Sequence, residues 1–231
     1  MVSFSNGTGV KASKYTALME HLASWGFVVM GTEEANSWNG FSSEMCLRLL
    51  LRGTAAETVE GWEGNPFFRL ADPERIGVSG HSQGGVGVIN AATENKNSGK
   101  ISAVFCASPT NLDLARGLEW DYDPGELSVP VFFVSGTGDG DENLLVSGAQ
   151  LREIYDRVPA GVPKLMARRT GADHGDMLYF ADGYMTAWFL WQLRGDAEAA
   201  ACFLGDSPEL ASNPLYQDQR LDLEPAEKPE P

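Results

Sequence analysis

Arg75-Ile-Gly-Val-Ser-Gly-His-Ser-Gln-Gly-Gly85 is the stretch that decides the fold. Residues 75–79 read as a short apolar strand, and Gln83–Thr93 as a helix of small residues. Between them stands Gly80-His-Ser-Gln-Gly84, a G-x-S-x-G pattern. In a strand–turn–helix setting, that pattern puts a serine on a sharp turn with its hydroxyl clear of the backbone. Only small side chains suit Gly80 and Gly84, because strand and helix cross closely there. The helix N-terminus next to Ser82 favours negative charge developing beside it.

Apolar strands are expected on either side of this unit at Val2–Ser5, 27–31, 101–106, 129–135 and 164–168. Helices are expected at 14–25, 41–51, 144–158 and Asp182–Arg194. Tyr15, Leu18, Leu22 and Trp25 recur at helical spacing in the first of these. Continuous apolar strands separated by helices predict an α/β fold with a mostly parallel sheet covered on both faces. Chemistry then belongs beyond the carboxyl ends of the strands.

A serine nucleophile needs a general base, and there are three histidines from which to draw it. His21 falls inside an amphipathic helix, and His81 adjoins Ser82 on a turn that points it away from the base position. His174, just after the 164–168 strand, is left as the base. An orienting carboxylate must hold its ring. Asp139 is preferred as the first carboxylate after the 129–135 strand, with glycine on both sides; Asp141 and Glu142 are close competitors. Two backbone N–H groups should face the developing oxyanion. Gln83 supplies one, and Gly7, in the loop after the first strand, is chosen for the other, with Asn6 and Thr8 as neighbours. Trp38 and Phe41 are candidates for the substrate-binding wall. Trp120 and Tyr122 fall in a stretch that reads as a partial cap.

The chain has 231 residues, 43% apolar and 21% charged, the composition of a globular domain. The formal charge of −15 disfavours nucleic acid as a partner. No run of apolar residues is long enough to span a membrane. Three scattered cysteines argue against a disulfide framework and a zinc site. The reading calls for no metal and no cofactor. The first residues do not resemble a signal peptide, so the expectation is a cytoplasmic protein, or a secreted one if the start is internal to a precursor. Residues 206–231 carry seven acidic and two basic residues and end in a Pro/Glu-rich run. They read as an acidic, partly disordered extension of a domain spanning 1–205.

The order Ser82, Asp139, His174 is that of the α/β-hydrolases. The chain resembles their cutinase-like or dienelactone-hydrolase-like group, which includes bacterial polyester-degrading cutinases. The likeness rests on Ser5-Asn-Gly-Thr-Gly9, His21-Leu-Ala-Ser-Trp-Gly-Phe-Val-Val29, the 75–85 run, Ala172-Asp-His174, and Ala187-Trp188 with Gly195-Asp196. It implies an α/β-hydrolase fold lacking the usual first strands, and hydrolysis of carboxylic esters through an acyl-serine. Against the bacterial cutinases, Ser108-Pro-Thr110 stands where they carry a tryptophan, and Cys202 has no C-terminal partner. The expected substrate is therefore a small or short-chain ester, with polyester or lipid hydrolysis as the alternative and a non-catalytic binding protein as the remote one. A second copy of the chain is left open as a partner.

Overall fold

The computed structural model describes residues 1–223. Its strands are β1 (Val2–Ser5), β2 (Val29–Gly31), β3 (Ile76–His81), β4 (Ile101–Ala107), β5 (Val131–Gly136), β6 (Lys164–Arg169) and β7 (Tyr216–Asp222). They form one sheet in the order β2-β1-β3-β4-β5-β6-β7. All neighbours are parallel except β6 and β7, which are antiparallel. The fold is α/β, as the strand pattern predicts.

The helices are α1 (Thr16–Ser24), α2 (Phe41–Ala55), α3 (Gln83–Thr93), α4 (Leu112–Gly117), α5 (Gly148–Arg157), α6 (Met177–Phe180), α7 (Asp182–Arg194), α8 (Ala197–Ala200) and α9 (Glu209–Ser212). Helices α1 and α7 cover one face, where Leu18, Leu22, Trp188 and Phe189 pack on Phe4, Phe105, Phe132 and Val134. Helices α2, α3 and α5 cover the other, with Leu47, Leu50, Val88 and Ile154 on Val78, Cys106, Val131 and Phe133. The four consecutive apolar residues of β5 thus divide between two cores, because side chains alternate across a pleated strand. This is why the strand reads as a continuous hydrophobic run.

Two elements differ from the sequence reading. The 144–158 helix begins only at Gly148, after a π-helical turn over Asp141–Leu145. The segment read as the start of a disordered extension instead contributes α9 and the edge strand β7. Tyr216 and Leu210 belong to the core, so the folded unit runs past residue 205. The mostly exposed, polar pattern of β7 carries little strand signal. The Pro/Glu-rich residues 224–231 lie outside the described residues.

The close crossing at the serine turn is as expected. A Cβ on Gly80 would stand 2.0 Å from the Gly84 carbonyl oxygen, and one on Gly84 would stand 2.0 Å from the Ser5 carbonyl oxygen. Both obstacles are backbone and cannot rotate away. Gly84→Ala is therefore expected to cost about 3 kcal/mol or more, a fall in Tm of roughly 6–12 °C at this chain length, read by thermal unfolding. A chain ending after Asn213 should melt lower than one ending after Leu223, because only the former exposes the edge of β6. Equal melting temperatures would show that β7 contributes nothing to the fold.

Candidate active site

Strand β3 ends at His81, and helix α3 begins at Gln83. Ser82 between them has φ 59° and ψ −121°, a conformation that L side chains rarely adopt. The crossing glycines enforce this geometry, and strain of this kind persists only where the surroundings over-determine it. Ser82 is buried except for a small opening. Its N–H is held by the Ala107 carbonyl at 3.0 Å.

His174 comes to this turn from the loop after β6. The His81 Nε2–H donates to the His174 carbonyl at 2.9 Å, and the two rings lie 4.4 Å apart, centroid to centroid. The His174 Nδ1–H donates to Asp141 Oδ1 at 2.6 Å. A carboxylate only accepts, so neutral His174 carries its proton on Nδ1 and presents Nε2 as a lone pair. That is the tautomer a general base requires.

The carboxylate on His174 is Asp141, not the expected Asp139. Asp139 is exposed and accepts a hydrogen bond from the Asn143 side chain. Asp141 is fully buried and also accepts from Ser108 Oγ and the Gly136 N–H, both at 2.6 Å. Burial raises its carboxyl pKa, but the bonds from His174, Ser108 and Gly136 outweigh that, leaving it below its ordinary value. Three alternating glycines bring the two loops together. Cβ atoms on Gly136, Gly138 and Gly140 would stand 2.2, 2.8 and 2.5 Å from atoms of Ala172 or Asp173. The Gly138 N–H bonds to the Ala172 carbonyl, and the Gly140 N–H to Asp173, both at 2.7 Å. Helical backbone begins at Asp139 and runs on through Asp141–Leu145. Residues two apart on a helix lie on opposite sides, so Asp141 turns inward while Asp139 stays outside.

The expected oxyanion donors fare differently. The Gln83 N–H opens α3 and has no acceptor among the described residues, as a donor for an incoming oxygen should be. The Gln83 side chain instead ties down the loop after β2 by accepting from the Ser37 N–H at 2.8 Å. The Gly7 N–H is already committed, to the Tyr15 hydroxyl at 2.9 Å, which corrects its choice as donor. The next residue, Thr8, is exposed and has an N–H without an acceptor among the described residues.

Trp38 is half-buried against the core below α3, and its carbonyl accepts from Asn90. Phe41 opens α2 and is 48% exposed. Neither ring stacks on His81 or His174 among the described residues. Tyr122 is buried with its hydroxyl on the Thr110 carbonyl at 2.8 Å, and Trp120 packs on the core, so both serve packing. Ser108 was not foreseen as a partner of the acid. It follows directly on β4 with φ 44°, and no local pattern in the sequence announces that.

No protein-family model matches the chain, and no curated protein shows significant similarity to it.

The depressed Asp141 pKa has a signed consequence. The charged carboxylate stabilises the fold above the ordinary value of 3.8, and that stability is lost as pH falls through the lower folded value. Urea unfolding should therefore show Asp141→Asn less stable than the parent near neutral pH, with the gap narrowing below the ordinary value. The same comparison for Asp139→Asn should show little difference at either pH.

Proposed function

We propose that this protein is a serine hydrolase of carboxylic esters. One observation carries the reading. A histidine with its Nδ1–H on a buried, three-fold hydrogen-bonded carboxylate is tied to the turn that bears a strained serine. Ser82 attacks the ester carbonyl while His174 Nε2 takes its proton. Asp141 stabilises the resulting imidazolium without being protonated itself. The Gln83 and Thr8 N–H groups receive the oxyanion. His174 returns the proton to the departing alcohol, and water, activated by the same imidazole, releases the acid from the acyl-serine. The sequence resemblance to cutinase-like α/β-hydrolases supports the same chemistry.

A small ester is the favoured substrate. A second reading, as a polyester hydrolase or lipase, draws on Leu144 and Tyr179, which are 66% and 57% exposed. They sit on the segments that follow Asp141 and His174, where an apolar acyl chain would lie. p-Nitrophenyl esters of increasing acyl length separate the two. A steep fall beyond short chains favours the small ester, and flat activity through long chains favours the other.

Ser82→Ala should remove p-nitrophenyl acetate hydrolysis and fluorophosphonate labelling together. Asp141→Asn should lower kcat about 10⁴-fold, whereas Asp139→Asn should stay within about threefold of the parent, as expected for an exposed residue remote from the chemistry. An intact Ser82→Ala protein with parental turnover would overturn the proposal.

A further inference from the structure

Two buried side chains beside Ser82 have hydrogen-bonding capacity that the reaction does not use. The Gly7 N–H donates to Tyr15 Oη at 2.9 Å. Tyr15 is buried, and its hydroxyl proton has no acceptor among the described residues. On the other side, the His81 Nε2–H donates to the His174 carbonyl at 2.9 Å. A carbonyl only accepts, so neutral His81 keeps its proton on Nε2 and leaves Nδ1 as a bare acceptor. That Nδ1 is buried and without a partner. Leaving it so costs free energy unless a donor reaches it.

The unspent donor and the unspent acceptor border the same spot. A Cβ on Gly7 would lie 3.0 Å from Tyr15 Oη, 3.4 Å from His81 Nδ1 and 3.6 Å from Ser82 Cβ. The Tyr15 ring is braced by Phe4 at 4.8 Å and lies 6.5 Å from the His81 ring, edge-on. We propose that Tyr15 and His81 are coupled positioning residues, which hold the Gly7–Thr8 loop and the His174 loop in register across Ser82. The role rests on the serine-hydrolase reading. The path has one sense throughout: Gly7 N–H to Tyr15, Tyr15 O–H to His81 Nδ1 through one bridging water, and His81 Nε2–H to the His174 carbonyl. Bonds aligned in this way polarise one another. Burial lowers the His81 pKa to about 4, with the nearby His174 adding to the effect, so the ring is neutral near pH 7 and the direction is kept.

A core-filling role would need only the rings, and phenylalanine would serve at both positions. The test is therefore Tyr15→Phe, His81→Phe, the double variant and His81→Gln, each in the full chain. The single phenylalanine variants should each lower kcat on p-nitrophenyl acetate about tenfold with KM within about twofold, because small misplacements of catalytic groups cost rate. The double should fall about tenfold rather than a hundredfold, since the path is already cut. His81→Gln, which can donate and accept, should recover most of the loss. Multiplying losses, or parental kcat in Tyr15→Phe, would overturn the coupling. Should His81→Phe fail to fold, Tyr15→Phe and His81→Gln decide alone. The His174 ring resonances in NMR give a readout independent of turnover. Tyr15→Phe should shift them, and unmoved resonances overturn the proposal. An inactive parent protein with shifted resonances would instead sink the hydrolase reading and leave the coupling standing.

Discussion

The backbone crossing of β3 and α3 is the constraint on which the rest depends. Gly80 touches the Gly84 carbonyl, and Gly84 in turn touches β1 at Ser5. Three elements therefore meet where no side chain fits, and Ser82 has no relaxed conformation left to it. The meeting also sets the neighbours of Ser82. Strand β1 delivers the Gly7–Thr8 loop, helix α3 delivers the Gln83 N–H, and β3 ends on His81, which reaches the His174 loop. Loosening the crossing by one methyl group would displace all of them together, because close-packed interiors transmit strain.

The second demand on the fold is a buried charge. A carboxylate without solvent is costly unless its lone pairs are filled. Asp141 meets this with an imidazole, a hydroxyl and a backbone N–H, contributed by the loop after β6, the residue after β4 and the last residue of β5 in turn. Each donor arrives from a different parallel strand at the same edge of the sheet. Fold and electrostatics are coupled here: the parallel arrangement collects these donors, and they in turn make the buried charge tolerable. The positive φ of Ser108 belongs to the same arrangement, since this residue directly follows β4 with its hydroxyl on Asp141.

Much of this was legible in the sequence, and the misreadings share one cause. Local signals that dictate backbone shape were readable: the glycine spacing around Ser82, the apolar runs of the strands, and the position of His174 after β6. Orientation was not. Asp139 and Asp141 both follow β5, and only the helical backbone that begins at Asp139 puts them on opposite sides, one in and the other out. Gly7 and Thr8 are neighbours in one loop, and the choice between them turns on a tyrosine hydroxyl eight residues away. Trp38 and Phe41 stand in the expected loop region, but their direction is set by packing on α3 and by the start of α2. Hydrogen-bond direction depends on partners distant in sequence, which composition and periodicity do not encode.

The segment read as an acidic extension bears on the site for a related reason. Arg168 in β6 is buried, and its guanidinium bonds the Gly136 carbonyl at 3.1 Å, the Glu142 carboxylate, and Asp218 of β7 at 3.3 Å. A buried guanidinium needs its donors filled, and removing one partner of such a cluster costs more than the pair contributes in isolation. Glu142 follows Asp141 directly, and Gly136 is itself a donor to Asp141. Of the acidic residues near the end of the described chain, Asp218 therefore helps to anchor the turn that carries the buried acid. Their charge, read from composition, suggests solvation and disorder. Placed opposite Arg168, it completes the support of the loop on which His174 depends.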